Sequence, residues 1–340
     1  MLHRLRCVSL RVVMGLSTLS VSPVQAEVRV ETAMGVDSNV RRTESEPSRV
    51  DGFVRLILAA DGRTRISRTC RLSARYHGGA RHFSTERNED TVVQRADAQV
   101  GCRMQGAQLG VSGYVRDRFT RAAAYPRDFS HAAIQLPIRL PLSDLELSIV
   151  PSIGRFHFKP DGRYSAMEAG ARLTLGWRTG RWQMAMDGGY TQRRFTAPNI
   201  TDEGGASQRV DDRLRIGGRI RYVGRFVGEV SGGFVENDSP IRRGGYRRQD
   251  VALSVTTVLG QGVLASTKLT VIRILHDQAQ RLPDDLLLDD EGRTALTLRL
   301  EKPLDAGWSL VMHGGYWTSP FDTGPEYERV QGIVGLSHRK

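Results

Sequence analysis

The sequence predicts an all-β fold, a transmembrane antiparallel up-and-down β-barrel of about 16 strands. Three observations predict it. Tight turns punctuate the chain at intervals of roughly 40 residues, and each interval holds two strand-length segments joined by a longer, charged loop. Within the segments apolar and polar side chains alternate with a period of two. No uncharged apolar run approaches the ~20 residues that a spanning helix needs. A hydrophobic content of 39% and a mean hydropathy of -0.35 exclude a helical membrane protein. They suit strands that show lipid only at every second residue.

The first 26 residues stand apart. Basic Arg4, Arg6 and Arg11 precede a modestly apolar stretch from Val12 to Val24, with Ala26 as a small residue at its end. This pattern predicts a secretory signal peptide cleaved after Ala26, leaving residues 27–340 as one barrel domain. An uncleaved amphipathic or anchoring helix is the alternative. The formal charge is +12, and the signal removes three Arg and no acid, so the remainder carries 12 - 3 = +9. The basic residues are spread along strands and loops, with no Lys/Arg block or helix-turn-helix pattern. Nucleic acid is therefore not an expected partner.

The opening strand runs from about Glu27 to Val36. Predicted turns follow at Asp61-Gly62, Gln105-Gly106, Ser143-Asp144, Thr179-Gly180, Val223-Gly224, Gly260-Gln261-Gly262 and Asp305-Ala306-Gly307. Each joins two alternating segments. Val54, Leu56 and Leu58 precede the first turn, and Cys70, Leu72, Ala74 and Tyr76 follow it. Ala96, Ala98 and Val100 lead to Leu109, Val111 and Val115; Ile134, Ile138 and Leu140 lead to Leu145, Leu147 and Ile149. Leu173 and Leu175 lead to Met184 and Met186, then Leu214, Ile216 and Ile220 lead to Phe226 and Val230. The last two pairs run through Leu253, Leu269, Leu298 and Met312, and a closing strand covers about Arg329 to His338. An even count leaves both termini in the periplasm.

Aromatic residues mark two depths. Trp177, Trp182, Tyr222, Phe226 and Trp308 flank the tight turns and predict a turn-side girdle. Tyr76, Tyr190, Phe234 and Tyr316 predict the outer one. A soluble sandwich or solenoid would also alternate, but its dry core could not hold charge on nearly every inward face without several kcal/mol of desolvation per unpaired ion.

Taking the apolar parity as lipid-facing puts a basic set on the inner face. The main candidates are Arg55, Arg71, Arg75, Arg139, Arg172, Arg215, Arg219, Arg221 and Arg299, with Arg29, Arg95, Arg116, Arg118 and Lys268 beside them. The inner acids are Glu31, Asp97, Glu146, Glu168, Asp187, Glu229 and Glu301. Two readings stand: the arginines pair with these acids and stiffen the wall, or their surplus makes a positive field that concentrates anions. Arg favours either use, because its planar fork suits carboxylates and phosphates.

Other constellations carry less. Cys70 and Cys102 lie on neighbouring strands at similar heights, so they form either a cross-strand disulfide or two free thiols; the oxidising envelope permits the former. No metal-ligand or cofactor-binding spacing is present. Ser309 and His313 share a strand face, and Asp187 points inward elsewhere, but a hydrolase needs these groups within hydrogen-bond reach. The acidic loop with Asp284, Asp285, Asp289, Asp290 and Glu291 reads as solvated or as a Ca²⁺ or lipopolysaccharide bridge.

The segment Met34-Gly35-Val36-Asp37-Ser38-Asn39-Val40, followed by Arg41, resembles the opening strand of some Gram-negative outer-membrane barrels. Among these are barrels of exopolysaccharide export, alginate-exporter-like or myxobacterial. The resemblance implies location in the cell outer membrane, contact with its lipid and lipopolysaccharide, an anionic polymer in the lumen, and periplasmic export components as partners. One departure is the end of the chain, Gly335-Leu336-Ser337-His338-Arg339-Lys340, where such barrels typically close on Phe or Trp. The expected function is a polysaccharide export conduit rather than an enzyme. A passive anion-preferring porin is the alternative, for which the loops Phe119–His131 and Phe195–Arg209 are only moderate in length. A barrel-wall enzyme is the third reading.

Overall fold

Strands whose side chains alternate between two solvents must satisfy every backbone group laterally, and in lipid only a closed sheet does so. A computed structural model of the chain describes residues 25–41, 49–122, 128–200, 206–240, 245–276, 294–318 and 328–340. The signal segment through residue 24 and the acidic loop carboxylates at 284–291 lie outside the described residues. The strands are β1 (Gln25–Asp37), β2 (Asp51–Arg65), β3 (Cys70–Phe83), β4 (Thr91–Met104), β5 (Ala107–Thr120), β6 (Phe129–Gln135), β7 (Ile138–Leu142), β8 (Leu145–Phe158) and β9 (Ala166–Thr179). They continue with β10 (Trp182–Ile200), β11 (Ala206–Val223), β12 (Phe226–Asp238), β13 (Tyr246–Val258), β14 (Leu264–His276), β15 (Thr294–Pro303), β16 (Trp308–Thr318) and β17 (Glu328–Arg339).

Each strand pairs antiparallel with its neighbours, and β17 returns to β1 from Arg29↔Arg339 to Asp37↔Gln331, which closes the barrel and leaves no edge. Segments β6 and β7 are two parts of one stave, since both lie between β5 and β8. The break falls at Leu136-Pro137, where proline has no N–H to give the ladder. The neighbouring strands bridge it: Gly110 N–H donates to the Pro137 carbonyl at 2.9 Å, and Leu136 N–H to the Pro151 carbonyl at 3.0 Å. The 17 segments therefore make a closed antiparallel barrel of 16 strands.

Five of the predicted turns use left-handed backbone, at Gln105 (φ 41°), Ser143 (φ 59°), Gly180 (φ 54°), Gln261 (φ 59°) and Ala306 (φ 55°), whereas the turn at Val223-Gly224 forms without it. The predicted turn at Asp61-Gly62 is an exception. Those residues lie inside β2, paired with Arg75 and Ala74, and the chain reverses at 66–69 instead. There the Ser67 hydroxyl accepts the Cys70 N–H at 3.0 Å and closes the turn, while Arg63 and Arg65 carry the strand past the glycine. The loop flanks also differ from expectation. Phe119 and Thr120 belong to β5 and Phe129–His131 to β6, leaving only 121–128 between them. The region Phe195–Arg209 is largely strand, with β10 and β11 paired out to Ile200↔Ala206.

Every strand keeps its apolar parity outward. Met34, Val54, Val111, Met186 and Val251 are more than half exposed on the chain itself, which on a membrane barrel is the lipid-facing belt. The turn-side girdle is continuous where Trp182, Tyr222 and Phe226 stack with ring centroids 5.1 Å apart in each pair. Tyr190 and Tyr316 stand toward the loop side and donate their hydroxyls to Asp212 and Glu328. Tyr76 does not join that girdle. It sits midway along β3, opposite Ala60 and Ala96.

Candidate functional site

The register puts all nine candidate arginines on the inner parity and divides the lumen wall into two parts. Toward the loops, inward positions carry aromatic rings as well as charge. Phe53, Phe83, Phe129, Phe158, Phe195, Tyr246 and Trp317 are buried there. Guanidinium groups lie over them: Arg81 is 4.7 Å from the Phe53 centroid, Arg116 5.3 Å from Phe129, Arg209 4.0 Å from Phe195 and Arg329 5.0 Å from Trp317. A cation on an aromatic face gains electrostatic attraction, more so when desolvated.

The acids of this loop-side collar are enclosed. Asp37 accepts from Arg329 Nη2 at 2.6 Å and Gln331 Nε2 at 3.0 Å, with Arg81 at 3.6 Å. Asp211 accepts from Arg209 Nε at 2.8 Å, Asn237 Nδ2 at 3.3 Å and Ser239 Oγ at 2.6 Å. Glu168 meets His131 at 3.0 Å and Arg193 at 2.8 Å. Buried ions survive only when hydrogen bonds or a close opposite charge replace their water; Asp37 and Asp211 each accept several hydrogen bonds, and Glu168 has the His131 contact and the Arg193 guanidinium. The opening-strand motif belongs to this collar. Asp37 ties β1 to β17, Ser38 and Val330 bond in both directions, and Asn39 Nδ2 donates to the Glu328 carbonyl. Above it, a hydrogen bond from Arg49 at 2.7 Å, joined by Arg41, holds the Glu86 carboxyl below its ordinary value.

Toward the tight turns the wall changes character. Among the described residues, Arg71, Arg139, Arg172, Arg219 and Arg221 have no ion-pair partner, and all but Arg139 are exposed to the lumen. The remaining candidates are engaged: Arg55 with Glu31 at 2.5 Å, Arg75 with Asp61 at 2.7 Å, Arg215 with Asp187 at 3.6 Å, and Arg299 with Glu31 and Glu301 at 3.1 and 3.0 Å. Like charges even meet directly. Arg65 stands opposite Arg71 across the β2–β3 ladder, an arrangement that is destabilising in a sheet. Glu229 faces Arg221 in register without closing to ion-pair distance. The unpaired cations therefore lie toward the turn-side mouth, where low-dielectric walls focus their field.

On the lipid side of that crowded wall, Cys70 and Cys102 are directly opposite in register and joined by a disulfide. It links the two strands that carry inward Arg71 and Arg103. The hydrolase-like constellation does not assemble. Ser309 and His313 lie on β16, where His313 is opposite Arg299 and Ile333, whereas Asp187 lies on β10 and is held by Arg215.

The alternation alone missed the collar. It named no aromatic ring on the inner face, and it passed over Arg81, Arg193, Arg209 and Arg329. A readable signal existed, because Arg209 and Asp211 are two residues apart on one face.

No protein-family model matches the sequence, and no curated protein matches it. Among solved structures, the chain is similar to OmpF of Salmonella typhi in complex with daunomycin, at TM-score 0.54 and 10% identity over 93% of this chain and 97% of that one. It is also similar to OmpT, an outer-membrane protein of Vibrio cholerae in trimer form, at TM-score 0.50 and 10% identity over 94% and 99%. At such identities the likeness is one of fold. With its apolar belt and charged inner face, the chain is a β-barrel of the cell outer membrane.

Proposed function

We propose that the barrel is a conduit for export of an anionic polysaccharide across the outer membrane. The observation that carries this reading is the set of arginines without an ion pair at the turn-side mouth, Arg71, Arg139, Arg219 and Arg221 among them; short turns face the periplasm in outer-membrane barrels. A polymer leaving the cell meets that end first, and a positive field there raises its local concentration before it threads the tube. Periplasmic export components would deliver it, and outer-membrane lipid with lipopolysaccharide would surround the belt.

A passive anion-preferring porin is the second reading, favoured by the collar, whose packed side chains occupy lumen space on the loop side. The two part in a strain lacking the gene. The export reading expects loss of surface or secreted acidic polysaccharide with small-solute uptake unchanged. Normal polymer levels with slowed anion uptake would replace it with the porin.

A further inference from the structure

Between the collar and the mouth, the inner faces of β13, β14 and β15 carry hydroxyls in two neighbouring rows. Ser254, Lys268 and Thr297 are opposite one another across the three strands. Next to them, Thr256, Ser266 and Arg299 repeat the arrangement, with the Thr256 and Ser266 hydroxyls 2.9 Å apart. The rows line a shallow pocket of about 340 Å³ in the lumen wall, bounded farther round the barrel by His313 and Arg55.

Charge at this pocket is not balanced. Glu31 is held by Arg29, Arg55 and Arg299, and Glu301 by Arg29 and Arg299. Adding Lys268 gives four cations against two acids, 4 - 2 = +2. Lys268 has no acidic partner among the described residues and is exposed to the lumen. Two buried donor or acceptor atoms at the rim, Arg55 Nε and His313 Nδ1, also have no partner. Buried polar groups are ordinarily hydrogen-bonded, so unpaired ones beside a cavity mark a place where something polar is received.

Neighbouring strands lie about 4.8 Å apart, the scale of a sugar ring. A cationic edge beside two rows of hydroxyls matches a ring that carries both a carboxylate and hydroxyls. We propose that this pocket is a binding subsite for one acidic sugar unit, its carboxylate on Lys268 and Arg299 and its hydroxyls on Ser254, Thr256 and Thr297. The subsite rests on the export reading for its substrate class, and it adds where along the tube the chain is held.

Single pores in planar bilayers test it, with trigalacturonate as the probe and maltotriose as its neutral counterpart. Trigalacturonate is expected to give resolved blockades of the wild-type pore, and maltotriose much shorter ones. Lys268→Gln should shorten the residence time about tenfold, the equivalent of one charge-assisted hydrogen bond. The triple variant Ser254→Ala, Thr256→Val, Thr297→Val should shorten it similarly while the chloride-over-potassium preference stays at the wild-type value. Folding of each variant is checked by its heat-modifiable mobility in gels. Blockades absent from the wild type, equal for the two sugars, or unchanged in both variants would overturn the subsite. The ion preference of the same pores separates the two claims. An anion-preferring pore with unchanged blockades removes only the subsite. A cation-preferring pore whose blockades depend on Lys268 keeps the subsite and removes the export reading.

Discussion

Asp37 and Arg221 point to the same side of one continuous sheet, yet they live under different rules. Asp37 is fully buried and held by Arg329, Gln331 and the Asn39 backbone. Arg221 is exposed and has no ion pair among the described residues, although Glu229 lies opposite. The loop-side half of the lumen spends its charges on each other and on aromatic faces, and so holds the barrel closed. The turn-side half pairs some of its charges, as in Arg75 with Asp61 and Arg299 with Glu301, but leaves Arg71, Arg219 and Arg221 without an ion pair, and there the field can act on a solute. One sequence pattern, charge on the inner parity, thus serves stability at one end and, in the proposed conduit, the attraction of anions at the other.

The largest effect should come from breaking the collar. Arg329→Met removes the closest cation from buried Asp37, leaving only Arg81 at 3.6 Å among the described residues, and should cost roughly 3–5 kcal/mol. Arg221→Met should stay within about 0.5 kcal/mol, as exposed substitutions do. Urea unfolding followed by heat-modifiable mobility measures both, and equal losses would erase the distinction between the halves. Next in size is the staple under the crowded arginines. The double variant Cys70→Ser, Cys102→Ser should lose about 2–4 kcal/mol under oxidising conditions, and reduction of the wild type should match it. A loss much smaller than that would mean that the Arg65–Arg71–Arg103 wall needs no covalent support.

The transport side of the comparison predicts a smaller change in energy. Replacing Arg215, Arg219 and Arg221 together by Gln should lower the anion-to-cation permeability ratio a few-fold, by weakening the focused field. Unfolding should be little affected. The smallest effect concerns the loop clamp. Because Arg49 and Arg41 depress the Glu86 pKa, the clamp's contribution is present above the carboxylate's unfolded value and fades as pH falls through the lower folded one. Protease nicking near 41–49 should therefore rise in acid, and Glu86→Gln should show the acid pattern already at pH 7.

Much of this fold was legible because a barrel in lipid enforces one rule at every position. Parity alone placed Arg55, Arg139 and Arg299 inward and Leu56, Leu140 and Leu298 outward, and the paired register agrees throughout. Reversals were less legible, because Asp61-Gly62 satisfies a turn's residue preferences yet Arg63 and Arg65 continue the alternation. Pairing was not legible at all. Whether Arg75 meets Asp61 or Arg172 stays free depends on height and on neighbours several strands away, information that a period of two does not contain. The subsite at Lys268 has the same origin, since its hydroxyl rows exist only once β13, β14 and β15 are in register.

The central claim is that the free arginines of the turn-side half, and not the paired ones of the collar, set what the tube attracts. The reversal potential of the wild-type pore in a planar bilayer under a potassium chloride gradient tests it most directly. The account predicts a sign showing preference for chloride, reduced when Arg219 and Arg221 become Gln. A preference for potassium, or a chloride preference untouched by those substitutions, would contradict it.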